Sequence, residues 1–426
     1  MHFAEDFLHF VWRFRLFKHA DLRCTDGQAL KILSPGILNT HAGPDFSAAK
    51  IRIGNIDWIG HVEIHIRSSD WHLHGHQDNS YYDSVILHVV DQHDQAVFRR
   101  DGTEVPVLVV NGLLPDEVLY RYQKLVGSRC KFPCEVQISG VNPLVVRSFL
   151  SRLVVERLAE KSVAVFERLE RSKGDWNDAF YYFMAKTFGF KVNAVPFELL
   201  AGSIGLQIFG KHGNDALQIE ALVFGQAGFL EGDFHEAYPI ALKREYGFLR
   251  HKYQLKTGDV SLWKFLRMRP QNFPTIRLAQ FAALIFKSDR LFSKILASGS
   301  LTELFGFFTD LPVASYWQNH YHFNKTTKHV KLQPGRQSIY AILVNTVCLF
   351  LFCYGKYTDQ QEYIDRGLDL LEEIPAEENA IVAAYRAAGV EIDSAFLSQA
   401  ILQLNKNYCC EKKCLNCGIG IKILNK

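Results

Sequence analysis

The chain has 426 residues, of which 48% are hydrophobic and 22% charged, and its formal net charge is +3. This composition is typical of a folded globular protein and excludes an intrinsically disordered one. The length exceeds what one hydrophobic core organises, so the sequence predicts two or three domains. A net charge this small does not by itself indicate binding to nucleic acid or to a membrane surface.

The first 20 residues predict an amphipathic helix. The start, MHFAEDFLHFVWRF, lacks both a basic region and a small-residue cleavage site, so it does not resemble a signal peptide. The longest apolar run, residues 340–354, contains Asn345 and is shorter than the roughly 20 residues of a membrane span. We therefore expect a cytoplasmic protein with no membrane association, whose nine cysteines are thiols or metal ligands and not disulfides.

Short strands follow the first helix. In residues 58–66 apolar side chains alternate with His61, Glu63 and His65, so the two sets face opposite sides of a sheet. Asp101-Gly102 predicts a hairpin turn. No helical pattern interrupts residues 58–110, which favours a mainly antiparallel sandwich or jelly-roll-like sheet, with a nuclease-like mixed sheet as the alternative. The predicted strands are 29–33, 48–53, 58–66, 84–90, 96–99 and 105–109.

From about residue 142 the hydrophobic period becomes helical. The sequence therefore predicts an α+β protein. Residues 1–135 form a β-rich domain, residues 136–406 an all-helical domain and residues 407–426 a cysteine-rich tail. After a first helix over residues 145–158, the predicted helices are 176–189, 194–203, 214–227, 236–250, 260–268, 275–297, 300–308, 337–354, 359–373, 377–388 and 393–406.

Histidines and carboxylates concentrate in residues 60–90, which hold six of the 17 histidines. Glu63 and His65 are two positions apart on a strand, so their side chains project from one face about 7 Å apart. His88, on the next predicted strand, opposes Glu63 if the two strands pair. Mixed nitrogen and oxygen ligands suit zinc, manganese or iron, and such a site activates water. We predict metal ligands at Glu63, His65 and His88, and a base at Asp70 or His76.

A second pattern overlaps this cluster. Pro44-Asp45 precedes Glu63-Ile64-His65 by 18 residues. This spacing resembles the metal-dependent nuclease core, in which a Pro-Asp pair is followed by an acidic residue, any residue and lysine. There the two acids hold magnesium and the lysine steadies the attacked phosphate, so the resemblance implies metal binding by Asp45 and Glu63. His65 stands at the lysine position, where it orients or activates water, and the helix expected after the second acid is missing. A tight turn entering a strand is the alternative explanation of Pro44-Asp45.

The cysteine-rich tail contains a metal-knuckle spacing, Cys414-x2-Cys417. The turn in such a motif lets two thiolates reach one ion and directs backbone amides at sulfur. Cys409 or Cys410 adds a third thiolate. An iron–sulfur cluster and a reduced tail without metal are the alternatives. We predict a structural zinc bound by Cys409, Cys414 and Cys417, with a fourth ligand from Cys130 or Cys134.

A basic segment lies near residues 263–281. Lys264, Arg267, Arg269 and Arg277 surround a turn that opens a predicted helix. A helix N-terminus flanked by arginines suits phosphate or carboxylate, and the neighbouring aromatic residues suit base stacking. Packing aromatics with solvated or salt-bridged arginines is the alternative. The segment predicts contact of Arg267, Arg269 and Arg277 with nucleic acid or a phosphorylated ligand.

Several segments, among them NTHAGPDFSAAKI, GHVEIHIRSSDW, WKFLRMRPQNFPTIRLAQFAALI and YCCEKKCLNCGIG, resemble a bacterial family known only as a domain of unknown function, DUF2851. The likeness runs over nearly the whole length, which implies a full-length member. It implies no activity, cofactor or catalytic residue.

Two functional hypotheses follow from these patterns. The first is a metal-dependent hydrolase acting on phosphodiesters or nucleic acid, with a second divalent metal (zinc, manganese or magnesium) besides the zinc of the tail. Its catalytic candidates are Asp45, Glu63, His65, Asp70 and His76. The second is a non-enzymatic module that binds nucleic acid or a protein and carries a purely structural zinc.

Overall fold

A computed structural model describes residues 5–19, 21–39 and 41–425. The remaining residues, which include the first four and the twentieth of the predicted N-terminal helix, lie outside this description. The chain is an α+β protein, as predicted, with an N-terminal mixed sheet and a mostly helical remainder. It divides into two compact units. The first comprises Met1–Phe149, Ala387–Val390 and Leu404–Lys426, and the second Leu150–Arg386 and Glu391–Gln403. The cysteine-rich tail thus belongs to the same unit as the sheet.

The α-helices of the described residues are α1 (Glu5–Phe14), α2 (Asp70–Leu73), α3 (Asp116–Val126), α4 (Pro143–Arg171), α5 (Trp176–Phe188), α6 (Ala194–Ser203), α7 (Leu206–Gly210), α8 (Ala216–Gln226), α9 (Ala237–Tyr253), α10 (Pro274–Lys287), α11 (Leu291–Ala297), α12 (Leu301–Gly306), α13 (Arg336–Ile342), α14 (Cys348–Thr358), α15 (Gln361–Glu373), α16 (Ala380–Ala387), α17 (Ala395–Leu404) and α18 (Gly418–Leu424). Short 3₁₀ turns include His76–Asp78 and Ser80–Tyr82, and π turns lie at Leu343–Val347 and Asn405–Cys409.

The strands are β1 (Leu22–Arg23), β2 (Ala29–Ser34), β3 (Ile37–Leu38), β4 (Phe46–Ile53), β5 (Ile56–Arg67), β6 (Val85–Gln92), β7 (Val107–Val109), β8 (His320–His322) and β9 (Lys325–Thr326). The predicted strand at residues 96–99 is reduced to one bridge between Phe98 and Glu104. The turn predicted at Asp101-Gly102 joins these two positions, and Gly102 supplies its left-handed backbone with φ +80°.

The main sheet has the order β1-β2-β4-β5-β6-β7, with β3 paired to β4. Strands β1 to β5 pair antiparallel, whereas β5–β6 and β6–β7 are parallel. An antiparallel bridge between Cys24 and Leu108 joins the two edges, so the sheet nearly closes into a barrel. The predicted mixed sheet is therefore confirmed: four of its six strand pairings are antiparallel, and it takes the form of a nearly closed sheet instead of a sandwich or jelly roll.

Parallel pairing of β5 and β6 depends on the connection between them. A parallel pair needs a crossover of about a dozen residues or more, and residues 68–84 supply it through α2 and two 3₁₀ turns. Helix α2 spans only Asp70–Leu73, too few residues to show a hydrophobic period. A helix does therefore follow the second acid, although the sequence pattern shows none there.

Helix α1 packs on the sheet through one apolar face. Phe7, Leu8, Phe10, Val11 and Trp12 are buried, and the acidic residues at its start remain more accessible. The indole Nε1 of Trp12 donates a hydrogen bond to the carbonyl oxygen of Pro35, 3.0 Å away. This packing brings the opposite edge of the helix, with Glu5 and His9, to the start of β4.

The second unit is mostly helical. Helix α4 extends to Arg171, and α7 and the β8–β9 hairpin appear in addition to the predicted elements. Two further departures lie in or next to the basic segment. Residues 260–268 form a 3₁₀ turn and a loop instead of a helix. The predicted helix over residues 275–297 divides into α10 and α11, because Arg290 adopts a left-handed backbone conformation with φ +50°. The continuous helix Arg336–Thr358 is long and apolar enough to cross a membrane, but 78% of its apolar window is buried inside the protein. A helix that is buried to this extent belongs to the core of the protein, as the sequence predicts.

Gly60 marks the point where β5 acquires a neighbour on both sides. It is paired with Ala49 on β4, and a Cβ atom here would lie 2.4 Å from Ile86 Cγ2 and 2.5 Å from the Ser84 carbonyl oxygen. We expect Gly60→Ala to lower the free energy of unfolding by about 1–3 kcal/mol, because the Ser84 backbone cannot yield without separating β5 from β6. Thermal unfolding followed by circular dichroism measures the change.

Gly247→Ala is the matched control. Gly247 lies inside α9, where a Cβ atom would meet no other atom within 4 Å, so the same substitution should be neutral or stabilise by up to about 1 kcal/mol. Equal effects of the two substitutions would show that the contact at Gly60 is unimportant.

Candidate metal centre

Two carboxylates, Asp45 and Glu63, are held together where β4 and β5 pair. The backbone N–H of Asp45 donates to Glu63 Oε2 at 3.1 Å, and the backbone N–H of Ile64 donates to Asp45 Oδ2 at 2.9 Å. Each carboxylate therefore accepts a hydrogen bond from the other segment. This reciprocal pair fixes the Pro-Asp and Glu-x-His segments of the sequence against each other.

The turn before β4 positions Asp45. The side-chain amide of Asn39 donates to the carbonyl oxygens of Ala42 and Pro44, and the Asn39 backbone N–H donates to the carbonyl of Asp45 at 2.7 Å. Just inside the strand, Ala48 adopts φ +54° at an irregularity in the β4–β5 register. Such bulges redirect neighbouring side chains, and this one lies three residues from Asp45.

The crossover from β5 to β6 carries two further histidines, His74 and His76. Trp71 of α2 is fully buried and donates from Nε1 to the carbonyl oxygen of Phe98 at 3.2 Å. The imidazole of His76 stacks on the ring of Tyr82, with centroids 3.7 Å apart, and meets Trp71 edge-on. These aromatic contacts fix the His76 ring beside Glu63.

Three histidines lie close to one another, and two of them approach Glu63. His65 Nε2 and His76 Nε2 lie 3.3 and 3.1 Å from Glu63 Oε1, and His74 Nδ1 lies 3.2 Å from His65 Nε2. Neighbouring ligands of a tetrahedral zinc ion with bonds of about 2.0 Å stand about 3.3 Å apart, so these separations fit such an ion. One nitrogen from each of these three histidines lies within 4.8 Å of the other two. His65 and His76 are buried, whereas His74 is exposed and gives the group an open side.

His88 takes a different place from the predicted one. It is paired with Glu63 in the parallel β5–β6 register, as expected. Its Nε2 atom, however, lies 2.9 Å from His65 Nδ1, on the far side of the His65 ring from Glu63. His88 therefore orients His65 and does not itself face the converging atoms. His74, which was not among the predicted ligands, occupies that position.

Burial is the largest cause of the pKa shifts of the side chains in the cluster. It lowers the pKa of His65 to about 4, with help from the neighbouring His76 and His74, and it lowers the pKa of His76 to about 4. It also lowers the pKa of His88 well below its usual value. Burial raises the pKa of Glu63 to about 8, and the charge of Asp45 adds to this effect. His65, His76 and His88 are thus neutral at pH 7, the form that binds metals, and Glu63 carries a proton that a bound cation would displace.

Helix α1 contributes two residues that the sequence patterns did not indicate, Glu5 and His9. His9 Nε2 lies 3.3 Å from Asp45 Oδ2 and 3.9 Å from Glu5 Oε1. Burial by itself lowers the pKa of His9, but the hydrogen bond and charge of Asp45 outweigh it, so the net shift is upward. Burial raises the pKa of Glu5 to about 7. The only sequence signal was the separation of four residues, which places both side chains on one face of a helix.

The other predicted site residues lie apart from this cluster. Asp70 Oδ2 accepts a hydrogen bond from the Arg67 backbone N–H at 2.9 Å, so Asp70 closes the turn before α2. Arg277 is buried in the second unit, where its guanidinium donates to Asn272, Gln280 and Ser338 and lies over the ring of Phe190. It is not available to an external phosphate. Arg267 and Arg269 are exposed in the segment before α10.

The first unit thus joins an N-terminal mixed sheet to a candidate His/Glu metal centre. The chain belongs to the family described as "Protein of unknown function (DUF2851)", whose model matches residues 5–380. The C-terminal cysteines lie beyond the matched residues. Comparison with curated proteins and with solved structures finds no significant match.

Divalent metal binding tests the cluster directly. We expect one Mn²⁺ ion per chain, detected by loss of the free-ion signal in electron paramagnetic resonance, because oxygen and imidazole ligands accept Mn²⁺ and thiolates do not. Glu63→Gln and His76→Ala should abolish binding. His88→Ala should weaken it by about 10–100-fold, since His88 only orients His65.

His93→Ala is the control, because His93 is exposed and lies just beyond the end of β6. Unchanged Mn²⁺ affinity in Glu63→Gln would contradict the assignment of the centre.

Proposed function

We propose that this protein is a metal-dependent hydrolase that cleaves phosphodiester bonds, with nucleic acid as the favoured substrate class. The observation that carries the proposal is the cluster of His65, His74 and His76, in which His65 and His76 approach Glu63 beside Asp45. Buried His65 and His76, both neutral at pH 7, and a buried Glu63 without a basic partner suit a ligand set better than a salt-bridge network.

The arrangement of the chain around Asp45 and Glu63 supports phosphodiester chemistry. The Pro-Asp segment leads into β4, and Glu-x-His lies on the adjacent antiparallel strand β5, with the two segments hydrogen-bonded to each other. A short helix follows the second acid, and the next strand, β6, pairs parallel to β5. The paired acids and the helix after the second acid are features that the nuclease interpretation requires, whereas its lysine is replaced by His65.

The histidine in place of lysine affects the choice of metal. His65 directs Nε2 towards Glu63, so it adds a nitrogen ligand where the nuclease pattern has a cation. Three imidazoles make the site richer in nitrogen than magnesium prefers. Zinc and manganese are therefore the proposed cofactors of this centre, and magnesium is the less suitable ion.

The residues around the centre have distinct roles in the proposed reaction. A bound divalent ion polarises the phosphodiester and increases the acidity of a water molecule. His9, whose Nε2 lies 3.3 Å from Asp45 Oδ2, has a raised pKa, so it is placed to donate a proton to the leaving oxygen. Glu5, whose Oε1 lies 3.9 Å from His9 Nε2, contributes to the raised pKa of His9. His88 contacts Nδ1 of His65 and so fixes the orientation of the His65 ring.

A cavity of about 300 Å³ adjoins the centre on the side of α1. Asp6, His9 and Arg13 of the helix line it together with Asn39 from the turn before β4. His9 connects the cavity to the centre, because it lines the cavity and its Nε2 lies 3.3 Å from Asp45 Oδ2. Its lining includes Arg13, a cation that suits a substrate phosphate.

Hydrolysis assays with bis(p-nitrophenyl) phosphate and with single- and double-stranded nucleic acids test the proposal. We expect turnover that requires Zn²⁺ or Mn²⁺, disappears with a chelator and is lost in Glu63→Gln, because the ion then lacks its central carboxylate. His9→Asn should retain Mn²⁺ binding but lower kcat by about 100-fold or more, as expected for loss of a general acid.

His72→Ala provides the control, since His72 is exposed on α2 and makes no contact with the converging ligand atoms in the described structure. Absence of metal-dependent turnover on every substrate, from protein that binds Mn²⁺, would refute hydrolysis while leaving the metal centre intact.

Exposed basic residues before α10 favour a second candidate function, nucleic-acid binding without cleavage. Lys264, Arg267 and Arg269 are exposed, and the neighbouring Leu266 is 83% exposed. We expect a gel-shift signal for single-stranded nucleic acid that weakens at high salt and is reduced in the Arg267→Ala/Arg269→Ala variant. Arg290→Ala, which removes an exposed arginine outside this segment, should leave the signal unchanged.

A further inference from the structure

Half-buried rings form a cluster beside the basic segment of the second unit. The ring centroid of His322, on β8, lies 4.6 Å from that of Phe265 and 5.5 Å from that of Phe273. Phe265 and Phe273 meet edge-on at 5.2 Å, and Tyr321 lies 5.7 Å from Phe273. Each of these four residues remains partly accessible to solvent, whereas Trp263 is buried. Phe265, Phe273, Tyr321 and His322 therefore form an aromatic patch at the surface.

Four exposed cations neighbour the aromatic patch. Lys264 precedes Phe265 in the chain, Arg267 and Arg269 follow it, and Lys325 is paired with His322 in the β8–β9 register; all four cations are exposed. Neither residues 263–273 nor residues 320–329 include an aspartate or a glutamate. In the described part of the chain none of the four cations forms an ion pair. Accessible rings beside unpaired cations suit a ligand that has both flat apolar groups and negative charges.

Buried Asn193 fixes the backbone of the basic segment. Its Oδ1 accepts a hydrogen bond from the Lys264 N–H at 2.9 Å, and its Nδ2 donates to the Lys264 carbonyl oxygen at 2.9 Å. Further along, Arg267 adopts a left-handed backbone conformation with φ +60°, which is uncommon for a residue other than glycine. The bonds to Asn193 therefore hold the chain at Lys264, while the charged side chains of the segment stay in solvent.

The β8–β9 hairpin is fixed from two sides. Thr275 Oγ1, in the first turn of α10, donates to the Tyr321 carbonyl oxygen at 2.5 Å. At the turn of the hairpin, the Asn324 N–H donates to Glu236 Oε2 at 3.2 Å. Because α10 begins directly after Phe273, the bond from Thr275 ties β8 to the basic segment. Two segments that are distant in the sequence thus form one surface.

We propose that this surface binds single-stranded nucleic acid, with unpaired bases stacked on His322 and Phe265 and with phosphates held by the cations. Proteins bind single strands in this way because every base has a flat face and every nucleotide a negative charge. The bases of a duplex already stack on one another and are not free to stack on these rings. The inference rests on the second candidate function, to which it adds base stacking by the β8–β9 hairpin.

Fluorescence anisotropy with labelled oligonucleotides and the full-length protein tests the inference. The probes are a single-stranded DNA of mixed sequence and an abasic strand with the same number of phosphates, both in a buffer that contains a chelator. We expect the DNA to bind about 10-fold or more tightly than the abasic strand, because only the DNA has bases to stack. His322→Ala should remove most of this difference.

The same variant should leave the salt dependence of binding unchanged. Burial and the neighbouring Lys325 lower the pKa of His322, so its ring is neutral at pH 7 and contributes no charge to the surface. Arg267→Ala/Arg269→Ala should instead weaken binding of both strands alike and reduce the salt dependence, because these side chains contact phosphates. The two kinds of variant therefore separate stacking from charge.

His322→Phe keeps a flat ring and should retain the preference for bases, which distinguishes lost stacking from a damaged hairpin. His329→Ala is the matched control, because His329 is exposed just beyond β9 and should not affect either strand. Equal affinity of the wild-type protein for both strands would overturn the inference and leave the second candidate function intact. Absence of binding to either strand would overturn both, and would favour a protein partner at the exposed Leu266. Failure of the hydrolase proposal does not affect these results, because the chelator removes metal and only binding is measured.

Discussion

The burial of Glu63 is the constraint on which the first unit depends. A carboxylate that is only 4% exposed is costly unless hydrogen bonds or a cation compensate for the lost hydration. The chain supplies one hydrogen bond from the Asp45 backbone and surrounds the other oxygen with neutral imidazole nitrogens. Burial in this environment raises the pKa of Glu63 to about 8, so the carboxyl holds a proton near neutral pH unless a cation takes its place. Glu63 is therefore a residue whose burial costs free energy and also the residue on which the proposed chemistry of the unit depends.

The mixed pairing of the strands brings the residues of this arrangement together. Antiparallel pairing of β4 and β5 brings Asp45 to Glu63, and parallel pairing of β5 and β6 brings His88 behind His65. The crossover that parallel pairing requires is also the segment that carries His74 and His76. Gly60 allows the transition, because any side chain there would collide with the incoming strand. The strand order and strand directions of the sheet thus determine which side chains meet at the centre.

The cysteine-rich tail and the histidine centre belong to the same unit. Leu415 and Asn416 of the tail line the cavity that His9 and Arg13 of α1 also line. His74 is exposed, so the histidine centre has a side that is open to solvent.

The sequence by itself determined the α+β class and the strand carrying Glu63 and His65, because alternation and short spacings are local properties. It also predicted that His88 would oppose Glu63. It did not determine the parallel direction of β6, since α2 is too short to produce a helical period. Nor could it distinguish ligands from supporting residues: His88 lies behind His65, His74 replaces it, and Glu5 and His9 arrive from α1. The sequence also did not predict the burial of Arg277, because that burial results from packing within the second unit. These outcomes depend on contacts between residues distant in the chain, which tertiary structure alone decides.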